Sequence, residues 1–138
     1  MVKGNLEEAI KGSDVFVGVS APGVLKGPWI KTMNAKPIIF ALANPVPEIL
    51  PDEAYEHGAF VYGSGRSDFP NQINNSLVFP GVFKGLKQNR HLKQVTKEMK
   101  LRASIALSNT LTQPNKEIIL PPSLDEKVPD TIASAIAE

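Results

Sequence analysis

Three short apolar runs, each rich in β-branched or aromatic residues, constrain the fold of this chain more than any other feature. They occupy residues 14–19, 37–43 and 59–62 and recur at intervals of about 22 residues. Each interval has room for a helix, and residues 51–58 begin with proline and two acidic residues and end at glycine, as a short helix does. Nearly continuous apolar strands that alternate with helices are typical of parallel sheets with right-handed crossovers. We therefore predict an α/β fold with a parallel sheet of about three strands and flanking helices.

The rest of the chain is predicted to be mainly helical. Residues 5–11 begin as a short helix with Asn5 as the cap, and residues 76–86 form a helix despite Pro80 and Gly81. A further helix is predicted over residues 95–107, where apolar residues recur at spacings of three and four and face a core. These are Leu92, Val95, Met99, Ala103 and Ala106, and a last helix is expected to run from Asp130, as its cap, to Ala137.

The length and composition are those of one ordinary domain. With 138 residues and 42% hydrophobic content the chain can bury a core, and a second independent domain is not expected. We assign residues 1–112 to the body of the domain. Residues 113–138 are predicted to be a linker and a terminal helix of the same domain.

Charge and cysteine content exclude several classes of function. The net charge of +1, from 15 basic and 14 acidic residues, gives no field that would attract nucleic acid or an anionic membrane. The absence of cysteine excludes disulfides and thiolate metal sites. No stretch approaches the roughly 20 apolar residues of a membrane span, and the amino terminus is charged where a signal peptide is apolar. We expect a cytoplasmic protein without nucleic-acid or membrane partners.

Residues 63–75 combine a glycine turn with many uncharged hydrogen-bonding side chains. Gly63 and Gly65 permit positive φ or a close approach of a ligand to the backbone. The carboxamides that follow, Asn74 and Asn75 among them, offer donors and acceptors without the desolvation cost of charges. The pattern indicates a site for a small molecule, although Asx turns and a helix cap explain the same residues by local hydrogen bonds alone.

The ends of the other two apolar runs carry related signals. Asn44 follows the second run and precedes the rigid turn 45–47. Because parallel strands point their carboxyl ends toward one crevice, we expect Asn44 to converge with the Asn74/Asn75 pair. Small residues follow the first run at Ser20, Ala21 and Gly23.

Other polar and aromatic residues are interpreted as structural. Arg66 and Asp68 are expected to form an ion pair with each other rather than to reach a ligand. His57 and His91 lack partners at metal-ligand spacing and are expected at the surface or at helix ends. Phe79 is expected to be a packing anchor.

Several long blocks of this sequence resemble the NAD-binding domain of bacterial malic enzymes. The blocks are FALANPVPE at 40–48, GRSDFPNQINN at 65–75, LVFPGVFKG at 77–85, DVFVGVSAPG at 14–23 and the carboxyl-terminal segment 118–138. Together they cover most of the chain. The resemblance implies a partial Rossmann-like sheet in an NAD- or NADP-dependent oxidoreductase that converts malate to pyruvate and CO₂ with a divalent metal ion, Mg²⁺ or Mn²⁺.

The resemblance also assigns roles to individual residues. It implies that Asn44, Asn74 and Asn75 bind malate through hydrogen bonds to its carboxylate and hydroxyl, because a carboxamide orients a substrate without a change of charge. It implies a dinucleotide site lined by Ser20, Ala21, Gly23, Asn44 and Asn75. For the three small residues, a plain strand-to-helix turn explains the sequence equally well.

Parts of the family's machinery have no counterpart in this sequence. The G-x-G-x-x-G fingerprint, the catalytic Tyr and Lys and the acidic metal cluster lie upstream in the family, and Gly63-Ser64-Gly65 lacks the third glycine. We expect the carboxyl-terminal half of an NAD(P)-binding domain, inactive in isolation, and the choice between NAD and NADP is not readable. The alternative is a non-catalytic α/β module that binds a nucleotide or a protein. A truncated sheet exposes an edge, which favours a homo-oligomer.

Overall fold

The computed structural model describes residues 4–91, 94–123 and 125–137. The chain divides after Ile73 into two compact units, and each is described by itself.

The first unit is a three-stranded parallel sheet with helices in the crossovers. Its elements, in chain order, are α1 (Leu6–Ile10), β1 (Val15–Gly18), α2 (Gly27–Ile30), β2 (Ile38–Ala41), α3 (Pro51–Glu56) and β3 (Val61–Ser64). The strand order is β1-β2-β3, with Val15 opposite Ile38 and Ile38 opposite Val61. The predicted parallel α/β sheet of three strands is confirmed.

Local sequence signals explain where the helices of this unit begin and end. The Asn5 side chain accepts a hydrogen bond from the Glu8 N–H, and the Glu8 carboxylate accepts one from the Asn5 N–H, so α1 begins with a capping box. Pro51 stands in the first turn of α3, and Gly58 follows that helix with φ of +99°, a conformation that glycine adopts readily.

One face of the sheet carries the core of the first unit. Phe16, Ile39 and Tyr62, one from each strand, are buried on this face. They pack with apolar residues of the helices and loops, namely Ile10, Leu25, Ile30, Ile49, Ala54 and Ala59. The alternate residues of β1 are exposed, with Val15 at 45% and Val17 at 59% of their full accessibility. Burial therefore alternates along β1 with the period of two expected for a strand that is covered on one face.

The third strand begins and ends two residues later than the predicted run 59–62. Gly63 therefore lies in the strand and not in the turn that was expected to follow it. Gly63 belongs to β3, and neither Gly63 nor Gly65 has a positive φ. The absence of a side chain at Gly63 serves close packing instead, because a Cβ there would lie 2.7 Å from Cδ1 of Ile73. The segment after β3 returns along the strand, where the Ile73 N–H donates to the Ser64 carbonyl oxygen at 2.7 Å.

The second unit is helical. A 3₁₀ helix (Asn75–Leu77) precedes α4 (Phe79–Gln88), so the single helix predicted over residues 76–86 is in fact two. The remaining helices are α5 (Lys97–Asn109) and α6 (Lys127–Ala137). Their buried side chains are Met99, Ala103, Val128, Ile132 and Ile136, with Val78, Val82, Val95 and Leu107 packed against them.

Two predictions for the second unit are wrong and one lies outside the described residues. Asp130 is in the first turn of α6 rather than its cap, because the helix begins three residues earlier at Lys127, whose N–H donates to the Asp125 carboxylate at 2.9 Å. Phe79, which was expected to be a packing anchor, is instead 50% exposed, and its ring lies 6.0 Å from that of Phe83, centroid to centroid. Leu92 lies outside the described residues. In the described part of the chain, no helix has the length and apolar content needed to cross a bilayer.

Candidate functional site

The loops that follow β1 and β2 lie at the carboxyl edge of the sheet. The first contains Ser20, Ala21 and Gly23, and the second contains Asn44 and continues through Glu48. Ligands in open parallel sheets bind outside this edge. The peptide bond between Asn44 and Pro45 is cis.

A buried carboxylate, Glu48, joins the two loops. Its side chain has no solvent-accessible surface. Oε1 accepts hydrogen bonds from the Ser20 N–H at 2.7 Å and the Ser20 hydroxyl at 3.1 Å, and Oε2 accepts one from the Ala43 N–H at 3.0 Å. Each carboxylate oxygen therefore serves a different loop, and the residue before Asn44 is fixed through its amide.

Backbone contacts and a glycine complete this junction. The Gly23 N–H donates to the Pro47 carbonyl oxygen and the Leu25 N–H to the Glu48 carbonyl oxygen, both at 3.2 Å. At Gly18, the last residue of β1, a Cβ would lie only 2.5 Å from Cδ of Glu48. Glycine at this strand end thus provides the space that the carboxylate occupies.

The environment of Glu48 favours its ionised form. Burial acts to raise the pKa of this carboxyl, but the hydrogen bonds from the Ala43 and Ser20 amides and from the Ser20 hydroxyl outweigh it. The net effect lowers the pKa of Glu48 below the ordinary glutamate value. Near neutral pH, the loop junction is therefore built around a negative charge.

Arg66, in the segment after β3, contacts the loop after β2 from the other side of Asn44. Its Nη1 donates to the Pro45 carbonyl oxygen at 2.7 Å. Its Nε and Nη2 donate to the two carboxylate oxygens of Asp68 at 2.8 and 2.6 Å, and the guanidinium lies 4.8 Å from the centre of the Phe69 ring. The predicted Arg66–Asp68 ion pair is confirmed, and it has an additional partner that the sequence did not indicate.

Tyr62 supports the same loop from within the core. Its hydroxyl donates to the Ile49 carbonyl oxygen at 2.9 Å, and burial raises the pKa of this phenol to about 12. The Asn71 carboxamide donates to the Tyr62 carbonyl oxygen at 2.8 Å. At least one carboxamide of the polar segment 63–75 is therefore structural.

The residues expected to bind a dinucleotide in the first loop are accessible. Ser20, Ala21 and Gly23 are exposed, as is Asn44 in the second loop. Gly23 has φ of +65°, and no atom lies within 4 Å of the position that a Cβ would take. A fixed backbone with small side chains and open space beside it fits the ribose or phosphate groups of a nucleotide, which bind closely to main-chain groups.

Asn74 and Asn75 belong to the second unit. The Asn74 side chain caps the 3₁₀ helix, because its Oδ1 accepts a hydrogen bond from the Ser76 N–H at 2.9 Å. Asn75 is the first residue of that helix and is exposed. The expected convergence with Asn44 spans the two units and stays a prediction.

The described residues do not fit a metal ion. Residues 4–91, 94–123 and 125–137 contain no group of three His, Asp or Glu side chains arranged to bind one. His57 ends α3, where its Nδ1 lies 2.9 Å from the Glu53 carbonyl oxygen, and His91 is exposed. The surface and helix-end positions predicted for both histidines are confirmed.

The role of Glu48 in joining the two loops was not predicted from the sequence. Two signals were present: a lone acid at the end of a Pro-x-Pro turn that leads into buried residues, and a glycine at the end of β1. Neither identifies the pairing alone, because Glu48 and Ser20 are 28 residues apart in the sequence.

Comparison with known proteins shows consistent similarity over nearly the whole chain. Residues 3–138 match the family described as malic enzyme, NAD binding domain. The chain is 45% identical over 139 residues to the NAD-dependent malic enzyme of Geobacillus stearothermophilus, covering 99% of this chain and 29% of that enzyme. It is 42% identical over 137 residues to the bifunctional malic/malolactic enzyme of Bacillus subtilis, covering 98% of this chain and 33% of that enzyme.

A solved structure gives the same result for the fold. The crystal structure of the NAD-dependent malic enzyme from Thermotoga maritima matches with a TM-score of 0.92 and 48% identity, covering 97% of this chain and 35% of that one. The predicted Rossmann-like α/β fold is thereby confirmed. The chain spans about a third of the length of these relatives.

Proposed function

The chain belongs to the malic enzyme NAD-binding domain family, and we propose that it is the part of an NAD- or NADP-dependent malic enzyme that positions the dinucleotide and malate. In that reaction a bound dinucleotide would take up the hydride from C2 of malate, and a divalent metal ion held by other parts of the enzyme would assist the decarboxylation to pyruvate and CO₂. The observation that carries the proposal is the junction of the loops after β1 and β2, which fixes the backbone beside exposed Ser20 and Asn44.

For the dinucleotide, we assign the loop after β1. Ser20, Ala21 and Gly23 are small and exposed, so backbone groups of this loop approach the ribose or phosphates closely. Asn44 and Asn75 are assigned to the nicotinamide end. The geometry of Gly23, with a positive φ and open space beside it, supports this assignment for the loop.

For malate, we assign the carboxamides of Asn44, Asn74 and Asn75. Each offers donors to a carboxylate or a hydroxyl, and none changes its charge while hydride and CO₂ leave the substrate. The exposure of Asn44 and Asn75 supports the assignment. Asn74 also serves the turn through its Oδ1.

The groups that bind the metal and transfer protons are assigned to other parts of a malic enzyme. The described residues do not fit a metal ion, and the curated relatives are about three times as long as this chain. We therefore expect the isolated chain to be unable to convert malate. A cytoplasmic location and a homo-oligomer complete the proposal, the latter supported by the exposed valines of β1.

A segment exchange tests the proposal. In the chimera, this chain replaces the matching segment of the G. stearothermophilus malic enzyme. We expect malate-dependent reduction of the dinucleotide with Mg²⁺ or Mn²⁺, while the isolated chain and a host with the segment deleted show none. A folded chimera without turnover, in which dinucleotide also fails to bind, would count against the proposal and favour a non-catalytic module.

A further inference from the structure

We propose that Glu48 and Arg66 are positioning residues that hold Asn44 from both sides and so set the orientation of its carboxamide. This inference rests on the proposed function of Asn44. We call the two residues the Asn44 clamp. Glu48 binds the amide of Ala43, the residue before Asn44, and Arg66 binds the carbonyl oxygen of Pro45, the residue after it.

The Glu48 side of the clamp is buried and uses both carboxylate oxygens. Oε2 accepts from the Ala43 N–H, and Oε1 accepts from the amide and hydroxyl of Ser20. The same carboxylate therefore connects the backbone next to Asn44 with the loop assigned to the dinucleotide. A movement of the loop after β2 would stretch the buried bond between the Ala43 amide and Glu48, and a movement of the loop after β1 would stretch the two bonds from Ser20.

The Arg66 side is accessible but geometrically fixed. Asp68 binds two of the guanidinium nitrogens side by side, which fixes the plane of the group. The third nitrogen, Nη1, then points at the Pro45 carbonyl oxygen. A lysine at this position keeps the charge but loses the planar fork, so it cannot make both contacts in the same way.

The clamp matters because the Asn44 side chain is exposed. Exposed side chains are not fixed by packing, so the direction of the Cα–Cβ bond depends on the backbone on both sides. Displacements of about 1 Å in a substrate-positioning group can reduce a rate about a hundredfold. Hydrogen bonds to both neighbouring peptide groups are a direct means to prevent such displacements.

Two substitutions and a matched control distinguish a loss of the clamp from a general loss of stability. Glu48→Gln keeps the size but replaces one acceptor oxygen by an NH₂ group, which then faces the amide of Ala43 or Ser20. Arg66→Lys tests the accessible side, where misfolding is a smaller risk. Glu56→Gln, on the exposed surface of α3, is the control for the loss of one carboxylate.

The first measurement is amide hydrogen exchange in the full 138-residue chain. We expect Glu48→Gln to reduce the protection of the Ala43 and Ser20 amides about tenfold relative to wild type. Glu56→Gln should leave both amides unchanged. Equal protection in wild type and Glu48→Gln would overturn the proposal, and this result does not depend on whether the chain takes part in malate conversion.

The second measurement is kcat/KM for malate in the active chimera, well below the melting temperature. We expect Glu48→Gln and Arg66→Lys each to lower kcat/KM about tenfold, but less than about twofold in an Asn44→Ala background, because both act through Asn44. A group that only stabilises the fold would lower Tm and leave kcat/KM unchanged. That result, or additive losses in the Asn44→Ala background, would contradict the clamp.

A folded wild-type chimera that neither converts malate nor binds dinucleotide counts against the proposed function. In that case the hydrogen-exchange measurement still tests the clamp by itself, because it does not require turnover.

Discussion

At the scale of single residues, Glu48 is the side chain that connects the two loops at the carboxyl edge of the sheet. It is a buried charge that is compensated by three donors from two loops. Such a group is costly to bury without partners and strongly orders the loops that provide them. Its side chain is fully buried, so the influence on function that we propose for it passes through the backbone at Ser20 and Ala43.

The lowered pKa of Glu48 predicts how stability depends on pH. A carboxyl whose pKa is lower in the folded than in the unfolded state stabilises the fold above the ordinary glutamate pKa, and this contribution is lost as pH falls through the folded pKa. Glu48→Gln should cost about 1–3 kcal/mol of unfolding free energy at pH 7.

That cost should shrink as pH falls below the ordinary glutamate pKa, because the unfolded wild-type chain then binds a proton at Glu48 that the folded chain binds only at lower pH. Urea unfolding of both proteins from pH 3 to 7 measures the difference. A difference that is independent of pH would show that the charge of Glu48 does not stabilise the fold.

At the scale of elements, two glycines allow α4 to pack closely on α6 within the second unit. A Cβ at Gly81 would lie 2.6 Å from Cβ of Ile132, and one at Gly85 would lie 2.9 Å from the Ala133 carbonyl oxygen. Both contacts involve atoms that cannot move without shifting the helix.

We therefore expect Gly81→Ala to destabilise the chain by about 1–3 kcal/mol. The sign is informative, since glycine to alanine in an unconstrained helix stabilises by about 0.5–1 kcal/mol. Thermal unfolding monitored by circular dichroism is the measurement, with Lys87→Ala on the exposed side of α4 as the control. A raised Tm for Gly81→Ala would disprove close packing of the two helices.

Elements whose signals are local in sequence were predictable. The strands, the Asn5 cap and the short helix that begins at Pro51 follow from period, capping residues and proline position. The prediction of a glycine turn at Gly63 failed because the contact that decides it, with the Ile73 side chain, is not local in sequence. The Glu48 junction was not predictable for the same reason, because its partners come together only in the folded sheet.

At the scale of the whole molecule, the exposed valines of β1 predict self-association. Val15 and Val17 of β1 are 45% and 59% exposed, and Val19, directly after the strand, is 79% exposed. Within the described sheet no strand pairs with the outer edge of β1. Apolar groups next to an unpaired edge favour contact with another chain.

We expect Val17→Lys to raise the dissociation constant of the oligomer at least about tenfold, which corresponds to roughly 1.4 kcal/mol. Sedimentation velocity at micromolar concentration measures this. Gln88→Lys adds the same charge at an exposed polar position of α4 and should have no effect. A wild-type chain that is already monomeric would remove the basis for this prediction and for the proposed homo-oligomer.

The proposed malate site is tested by the effect of Asn44→Ala and Asn75→Ala on malate turnover by the chimera. Loss of a hydrogen bond to the charged substrate is worth about 1.5–3 kcal/mol, so kcat/KM should fall roughly ten- to a hundredfold. Both side chains are exposed, so Tm should stay close to that of the unsubstituted chimera. Most of the dinucleotide affinity should remain, because the loop after β1 is unchanged. Asn74→Ala should lower Tm as well, because that side chain caps the 3₁₀ helix. Unchanged kcat/KM together with a lowered Tm for Asn44→Ala and Asn75→Ala would show that both asparagines are structural and would contradict the proposed malate site.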